Sequence, residues 1–393
     1  MTGARRLLAL VLLACAYPAQ AATLAIDMLE DSGDARYEAH RLDEALRLQP
    51  WGRPAAGAEV AVQESRFAAA ALGLSLTLDR DSASGAAALE AALRRRYAQG
   101  VRFFIVDARA APLAVLAQRV RDLDLLLFNV SALDDALRGP QCQPNLLHVV
   151  PSQAMLDDAL GQYLASRKWR RVLVLRGPQA ADRAQADSFA RSARRYGIET
   201  VATRDFVPGR DPRQRERNDV ALLTAGPDYD AVYVADSDGE FARDVPGMTQ
   251  RPRVVVGSAG IVADGWHWAW ERHGAPQLNA RLRKAAGRRP TQYDWSAWMA
   301  VKAVVEAAQR TGGADFAKMR SYLRGESITL DGFKGFRMGF RPWDGQLRQP
   351  VLVTGDNAVL AVAPFDGFLD PRNALDTLGI DARESACRRG DGK

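Results

Sequence analysis

The side chains with chemical potential in this sequence are polar groups on loops that follow apolar runs. Arg109 ends the segment Val106-Asp107-Ala108-Arg109 and offers a guanidinium that can clamp a carboxylate through paired N–H donors. A solvated loop arginine is the competing reading. Asn129 and Ser131 follow the run 125–128, where a helix start would add backbone N–H groups that favour an anion. Ser131 is equally a plain N-cap. Asp236 opens Asp236-Ser237-Asp238-Gly239-Glu240, which has half of a calcium loop and lacks the remaining ligands. It too reads either as a ligand contact or as a helix cap. Ser258 stands after Gly257 at the end of a further apolar run. Trp266, Trp268 and Trp270 alternate, and residues at i, i+2 and i+4 cannot share one helix face. Trp266 or a neighbour is then free to stack on a flat ligand, unless all three pack inside.

Catalytic signatures are missing. The sequence has no G-x-S-x-G, no G-x-G-x-x-G after its first apolar run, and no P-loop. It has no C-x-x-C or H-E-x-x-H, and its four histidines are scattered, so neither a metal nor a cofactor is expected. These residues point to binding without chemistry on the ligand.

Composition sets the frame for those loops. The chain has 393 residues, 47% hydrophobic and 25% charged, which is the profile of a folded protein long enough for two lobes. Its 53 cationic and 47 acidic residues are interspersed, and no basic stripe with interleaved aromatics suggests nucleic acid. Residues 1–21 read as a secretory signal: Arg5 and Arg6, an apolar stretch too short to span a bilayer, then Ala19-Gln20-Ala21. Its removal takes the net charge from +6 to +4. Lipidation at Cys15, from a loose lipoprotein-like box, is the minor alternative. The other two cysteines, Cys142 and Cys387, form an even pair in an oxidising compartment and read as one disulfide, against two unrelated buried thiols.

The elements that must position the loops alternate between short strands and helices. Strands are expected at 24–28, 74–79, 101–106 and 125–128, with helices at 86–99 and 113–122. A second series begins after Pro151, with a helix at 153–167 capped by Ser152 and strands at 172–175, 199–206, 231–234 and 254–256. Helices at 183–196 and near 213–225 separate these strands. Continuous apolar strands between helices mean parallel sheets covered on both faces. A long helix at 293–309 puts Trp298, Val301, Val304, Val305 and Ala308 on one face. Strands at 333–340, 351–354 and 359–362 follow, with Asp356-Asn357 as a turn.

Three segments carry a resemblance in their order and spacing. RRPTQYDWSAWMAVKAVVEAAQRTGG (288–313), LDGFKGFRMGFRPWDGQLRQPVLV (330–353) and HVVPSQAMLDDALGQYLASRKWRRVLVL (148–175) resemble type I periplasmic solute-binding proteins of ABC importers, the leucine/isoleucine/valine-binding kind. NVSALDDALRGPQC (129–142), DGWHWAWERHG (264–274) and Asp294-Trp295 look like the subgroup that accompanies pyrroloquinoline quinone (PQQ)-dependent alcohol dehydrogenase systems.

The resemblance implies an α/β fold of two doubly wound, Rossmann-like lobes joined by a three-stranded hinge. The expected division is 22–150 plus 265–332 for the first lobe, 151–264 plus 333–370 for the second, and 371–393 as a C-terminal tail. Crossovers would fall near 148–152, 260–276 and 330–340. It further implies a monomeric periplasmic protein that closes on a small solute and is recognised by a permease and its ATPase. Ser131 falls where the family has a Ser/Thr ligand contact, and Asp236 where relatives place an aromatic or acidic one. The chain departs from amino-acid binders in the loop 106–109, which carries a serine there and none here, and at Ser258, where a glutamate meets the ligand ammonium. Those departures favour an acidic or aromatic solute. A periplasmic sensor or cofactor chaperone that feeds no importer is the alternative function.

Overall fold

Strands that are apolar on both faces must be covered on both sides, and this chain does so twice. The computed structural model describes residues 22–38, 52–209 and 211–387. The expected signal segment, with Cys15, lies outside the described residues. The first lobe contains β1 (Ala22–Asp31), α1 (Ala55–Ala70), β2 (Leu74–Ala83), α2 (Gly85–Ala98), β3 (Phe103–Asp107), α3 (Ala110–Arg119), β4 (Leu126–Asn129) and β5 (Leu146–His148). Its five strands are parallel, in the order β2-β1-β3-β4-β5. Successive residues of β3 feed opposite cores. Phe103 and Ile105 pack under α1, whereas Phe104 and Val106 pack under α2 and α3.

The second lobe repeats the plan with α4 (Gln153–Ser166), β6 (Arg171–Arg176), α5 (Ala180–Arg195), β7 (Glu199–Asp205), two short helices α6 (Arg215–Asn218) and α7 (Val220–Leu223), β8 (Ala231–Ala235), β9 (Val254–Gly257) and β10 (Val262–Asp264). The parallel order here is β7-β6-β8-β9. Ser152 caps α4 by accepting the Met155 N–H at 3.2 Å. The single helix expected near 213–225 is instead broken, because Asp219 is extended and caps a new turn by accepting the Leu222 N–H.

The chain then returns to the first lobe through α8 (Ala275–Ala286), α9 (Gln292–Thr311) and α10 (Phe316–Arg324). α9 opens with a capping box between Thr291 and Asp294. It lies so close to α1 that a Cβ on Gly57 would sit 1.9 Å from the Asp294 carbonyl oxygen. Glycine is required there by contact.

β11 (Leu330–Asp331), β12 (Arg337–Phe340) and β13 (Leu347–Arg348) form a small antiparallel sheet. The strand expected over 333–340 begins only at Arg337, since Asp331 accepts the Phe333 N–H in a turn that gives Phe333 and Gly335 positive φ. The division of the chain also shifts. Leu330, Met338, Phe340 and Leu347 are buried in the first-lobe core, so 333–348 does not belong to the second lobe as expected. The third crossing falls at 348–350. β14 (Val351–Gly355) then turns Val351 and Val353 into the second-lobe core and pairs with β15 (Ala358–Ala363) and β10.

Buried polar groups join the crossings. Arg138 donates to Gln346 Oε1 at 2.9 Å and to the carbonyls of Ala132 and Val150, and Gln349 donates to the Val149 carbonyl. Burial pushes the Arg138 guanidinium down to about 10, against the pull of Asp135. The segment after β15 crosses the second lobe, where Gly379 donates to Asp158 and Glu384 pairs with Arg195. It ends in a disulfide from Cys387 to Cys142, with Cα atoms 5.6 Å apart. The tail thus binds one lobe by packing and the other covalently.

The bridge spans a sequence separation of 245 residues. In the chain-entropy model a loop of that order restrains the unfolded state by about 5 kcal/mol. The double variant Cys142→Ser/Cys387→Ser should lose about 2–5 kcal/mol in urea unfolding. An unchanged midpoint and slope would show that the bridge contributes nothing to stability.

Candidate functional site

In open parallel sheets, ligand sites form beyond the carboxyl ends of the strands, where the strand order reverses. In the first lobe that point lies between β1 and β3, whose register sets Glu30 beside Asp107, while the β3–β4 register sets Val106 beside Asn129. The loop leaving β1 folds over this edge. Asp31 accepts the N–H groups of Gly33 and Gly85, which holds the loop against the start of α2. Asp34 follows and caps a 3-10 turn at Ala35–Tyr37.

That turn delivers Arg36 into the recess. Its Nη2 lies 2.5 Å from Asp34 Oδ2, its Nη1 donates to the Ser131 carbonyl at 3.0 Å, and Nη2 also reaches Ser131 Oγ at 3.2 Å and Asp107 Oδ1 at 3.4 Å. The guanidinium carbon stands 5.4 Å from the Tyr37 ring centre and 5.6 Å from that of Tyr293. Tyr37 donates its hydroxyl to Asp107 at 3.0 Å. Arg53 pairs with Asp107 Oδ2 at 3.2 Å and lies 4.3 Å above the Tyr37 ring. Arg109 pairs with Asp34 Oδ1 at 3.0 Å.

Opposite forces set the two carboxylates. Burial works to lift Asp34, but the hydrogen bonds and charge of Arg36, with Arg109, hold it below the usual range. Burial lifts Asp107 despite Arg36, Ser131 and Arg53. Tyr293, beside Arg36, is raised by burial, with Arg36 and Asp264 acting on it in opposite directions. Asp264, at the end of β10, is pushed up to about 6 by burial, against its hydrogen bond with Thr354 and the charge of Lys334.

The second lobe presents a polar face. Ser258 Oγ accepts the Asp236 N–H at 3.0 Å and a Gln185 amide N–H at 3.1 Å. Asp236 accepts the Ala242 N–H at 2.8 Å and the Asp238 N–H at 3.3 Å, so it shapes its own loop. Near the α4 start the lobes touch, as Asp135 accepts the Ala154 N–H and faces Arg191 at 3.8 Å.

The six residues singled out from sequence therefore divide. Arg109 and Ser131 come together around Asp34 and Arg36. Asn129 does not line the recess. It is fully buried, its amide donating to the Ala132 carbonyl and its oxygen accepting from Ser131 and Ala132 N–H. Asp236 and Ser258 sit together at the second-lobe strand ends. Trp266 does not reach the cleft. It is 1% exposed, stacked 5.9 Å from Trp295, and its indole N–H is used by Asn279. Trp270 is likewise buried and donates to the Phe333 carbonyl, while Arg289 covers Trp268 at 3.8 Å.

Asp34, Arg36, Tyr37 and Arg53 were not picked out from sequence. Their signal was position alone, immediately past the carboxyl end of the first strand. Open cavities of about 1060 Å³ beside His273 and Tyr322, and about 650 Å³ beside Phe316 and Arg324, are not lined by residues at the carboxyl ends of the parallel strands. Among the described residues no His, Cys, Asp or Glu group is arranged to hold a metal ion, and no helix is long and apolar enough to cross a membrane.

Two lobes with reversed strand order, joined by crossing strands, define the type I periplasmic binding protein fold. The model of the periplasmic binding protein family matches residues 50–236 of this chain. Solved structures agree over nearly its full length. A branched-chain amino acid ABC transporter periplasmic ligand-binding protein from Burkholderia xenovorans LB400 is similar with a TM-score of 0.71 and 15% identity, covering 93% of this chain and 99% of that one. An ABC transporter solute-binding protein from R. palustris in complex with benzoate is similar with a TM-score of 0.65 and 13% identity, covering 93% and 99%. The substrate-binding protein LivJ from Streptococcus pneumoniae, in complex with isoleucine, has a TM-score of 0.64 and 18% identity, covering 86% and 98%. No curated protein sequence matches this chain.

The raised Asp264 carboxyl binds its proton more tightly in the folded than in the unfolded state. Its effect on stability therefore worsens as pH rises from about 4 to about 6 and is constant above. Asp264→Asn should gain on the wild type across that window by about 1–2 kcal/mol, allowing for the group's partial contact with water. Urea unfolding at pH 4 and pH 8 measures this, and equal differences at both values would contradict it.

Proposed function

We propose that this chain is the extracytoplasmic solute-binding subunit of an ABC transport system, capturing a small acidic or aromatic solute by closure of its lobes. The observation that carries this reading is the pair of faces at the strand ends. One is built from arginines and tyrosines on the first lobe, and the other from Ser258, Gln185 and the Asp236 loop on the second. A solute touching both would favour the closed form by its differential contacts. That closed form is what a permease with its ATPase would engage. The signal-like residues 1–21 and the paired cysteines support a periplasmic location.

The ligand class rests on which groups at the first-lobe strand ends keep exposed surface. The side chains of Arg109 and Arg53 are 48% and 24% exposed, and Arg53 lies over Tyr37. A planar carboxylate fits such a setting, with its acid on a guanidinium and its ring against a phenol. The complexes of related folds with benzoate and with 3,4-dihydroxybenzoic acid are consistent with it. The tie to PQQ-dependent alcohol oxidation rests on the segments 129–142 and 264–274 and on Asp294-Trp295. Those residues mostly serve packing and capping here: Asp294 closes the α9 cap and pairs with Arg288, and Trp295 donates to the Gly332 carbonyl.

Calorimetric and thermal-shift titrations with benzoate, 3,4-dihydroxybenzoate and leucine test the reading. The aromatic acids should bind and raise the melting temperature, and Arg109→Ala should weaken them about 10-fold. Stabilisation by leucine alone would overturn the ligand class.

A further inference from the structure

The Arg36 guanidinium is held as a bound ligand would be. Asp34 Oδ2 accepts from Nε at 2.9 Å and from Nη2 at 2.5 Å, Nη2 also reaches Ser131 Oγ and Asp107, and Nη1 donates to the Ser131 carbonyl. Phenol rings of Tyr37 and Tyr293 flank it. Carboxylate, carbonyl and hydroxyl acceptors around the fork, with aromatic rings near the cation, make up a guanidinium-binding site. Here the occupant comes from the chain itself, on a turn only five residues past the end of β1. Its side chain is 15% exposed, and those of Asp34 and Asp107 are 0% exposed.

Two carboxylates withdrawn from water need counter-charges, and Arg36 touches both of them. Asp34 is shared by Arg36 and Arg109, and Asp107 by Arg36, Arg53 and Tyr37. An arriving ammonium therefore meets acceptors already engaged, while an arriving anion meets the outer surfaces of Arg53 and Arg109.

We infer that Arg36 is an internal ligand, filling a guanidinium-binding recess of the first lobe that would otherwise take a cationic group of a solute. This rests on the reading of the cleft as the solute site. It goes beyond that reading by assigning the recess to the protein's own side chain.

Chemical rescue tests it. Arg36→Ala empties the recess, and Arg36→Gln keeps a polar side chain there should the alanine variant fold poorly. Each is titrated with methylguanidinium at millimolar concentrations, with methylammonium as control, and followed by thermal shift and calorimetry. At least one variant should show saturable stabilisation by methylguanidinium, of about 2–4 °C at ten times its dissociation constant, where the wild type shows none. Recovery of folded Arg36→Ala on adding methylguanidinium is the same result in stronger form. Responses no larger than the wild type's in both variants overturn the inference. Benzoate titration of the wild type separates the two readings. Rescue without benzoate binding leaves the internal ligand standing and removes the proposed solute class, whereas benzoate binding without rescue does the reverse.

Discussion

Two carboxylates buried at the carboxyl edge of the first sheet, Asp34 and Asp107, set the terms for everything around them. A charge withdrawn from water is tolerated only with partners of opposite sign and good hydrogen bonds. Here Arg36, Arg53 and Arg109 supply them, from the loop after β1, the residues before α1 and the residue that opens α3. The loop conformations, the seating of Tyr37 and the polarity of the cleft wall all follow from satisfying those two groups. The result is a wall on which Arg53 and Arg109 keep exposed surface.

The second constraint is the joining of the lobes. The chain passes between them three times, and buried Arg138, Gln346 and Gln349 satisfy the carbonyls of the crossing strands. Non-directional packing would allow many relative positions, but satisfied polar contacts allow few. Lys334 belongs to the same region. It is fully enclosed above the Trp295 ring and donates to Gln349, and burial drives its ammonium well below the usual lysine range. The disulfide-tied tail adds a fourth connection, so relative motion of the lobes must respect both the hinge and the tail.

Much of the fold was legible because its signals are local. Continuous apolar runs marked β3, β4, β6 and β8, Ser152 marked the start of α4, and the apolar stripe of α9 marked the face that is now buried. The break at Asp219 was less legible, since an aspartate within a polar stretch suits a helix surface and a cap equally well. The boundary at 333–348 was misplaced because β12 and β13 carry the same alternation whichever lobe they cover. The candidate site was legible only in part. Arg109 and Ser131 stand out by the loops that carry them, whereas no local pattern around Arg36 and Tyr37 sets them apart from other polar loop residues.

The sequence by itself determined the two α/β units, the pairing of Cys142 with Cys387 as a reading of the cysteine count, and the lack of catalytic motifs. Each is a matter of composition or of periods shorter than one element. Only the tertiary structure decided which polar side chains share a recess. Asp34 and Ser131 lie on different loops, Asp107 ends β3, and Tyr293 arrives from the far side of the second lobe in chain order. Their meeting depends on strand order and register, which set the carboxyl ends of β1, β3 and β4 side by side. The same holds for Trp266 and Asn129, whose burial is a property of their neighbours in space rather than of their own types.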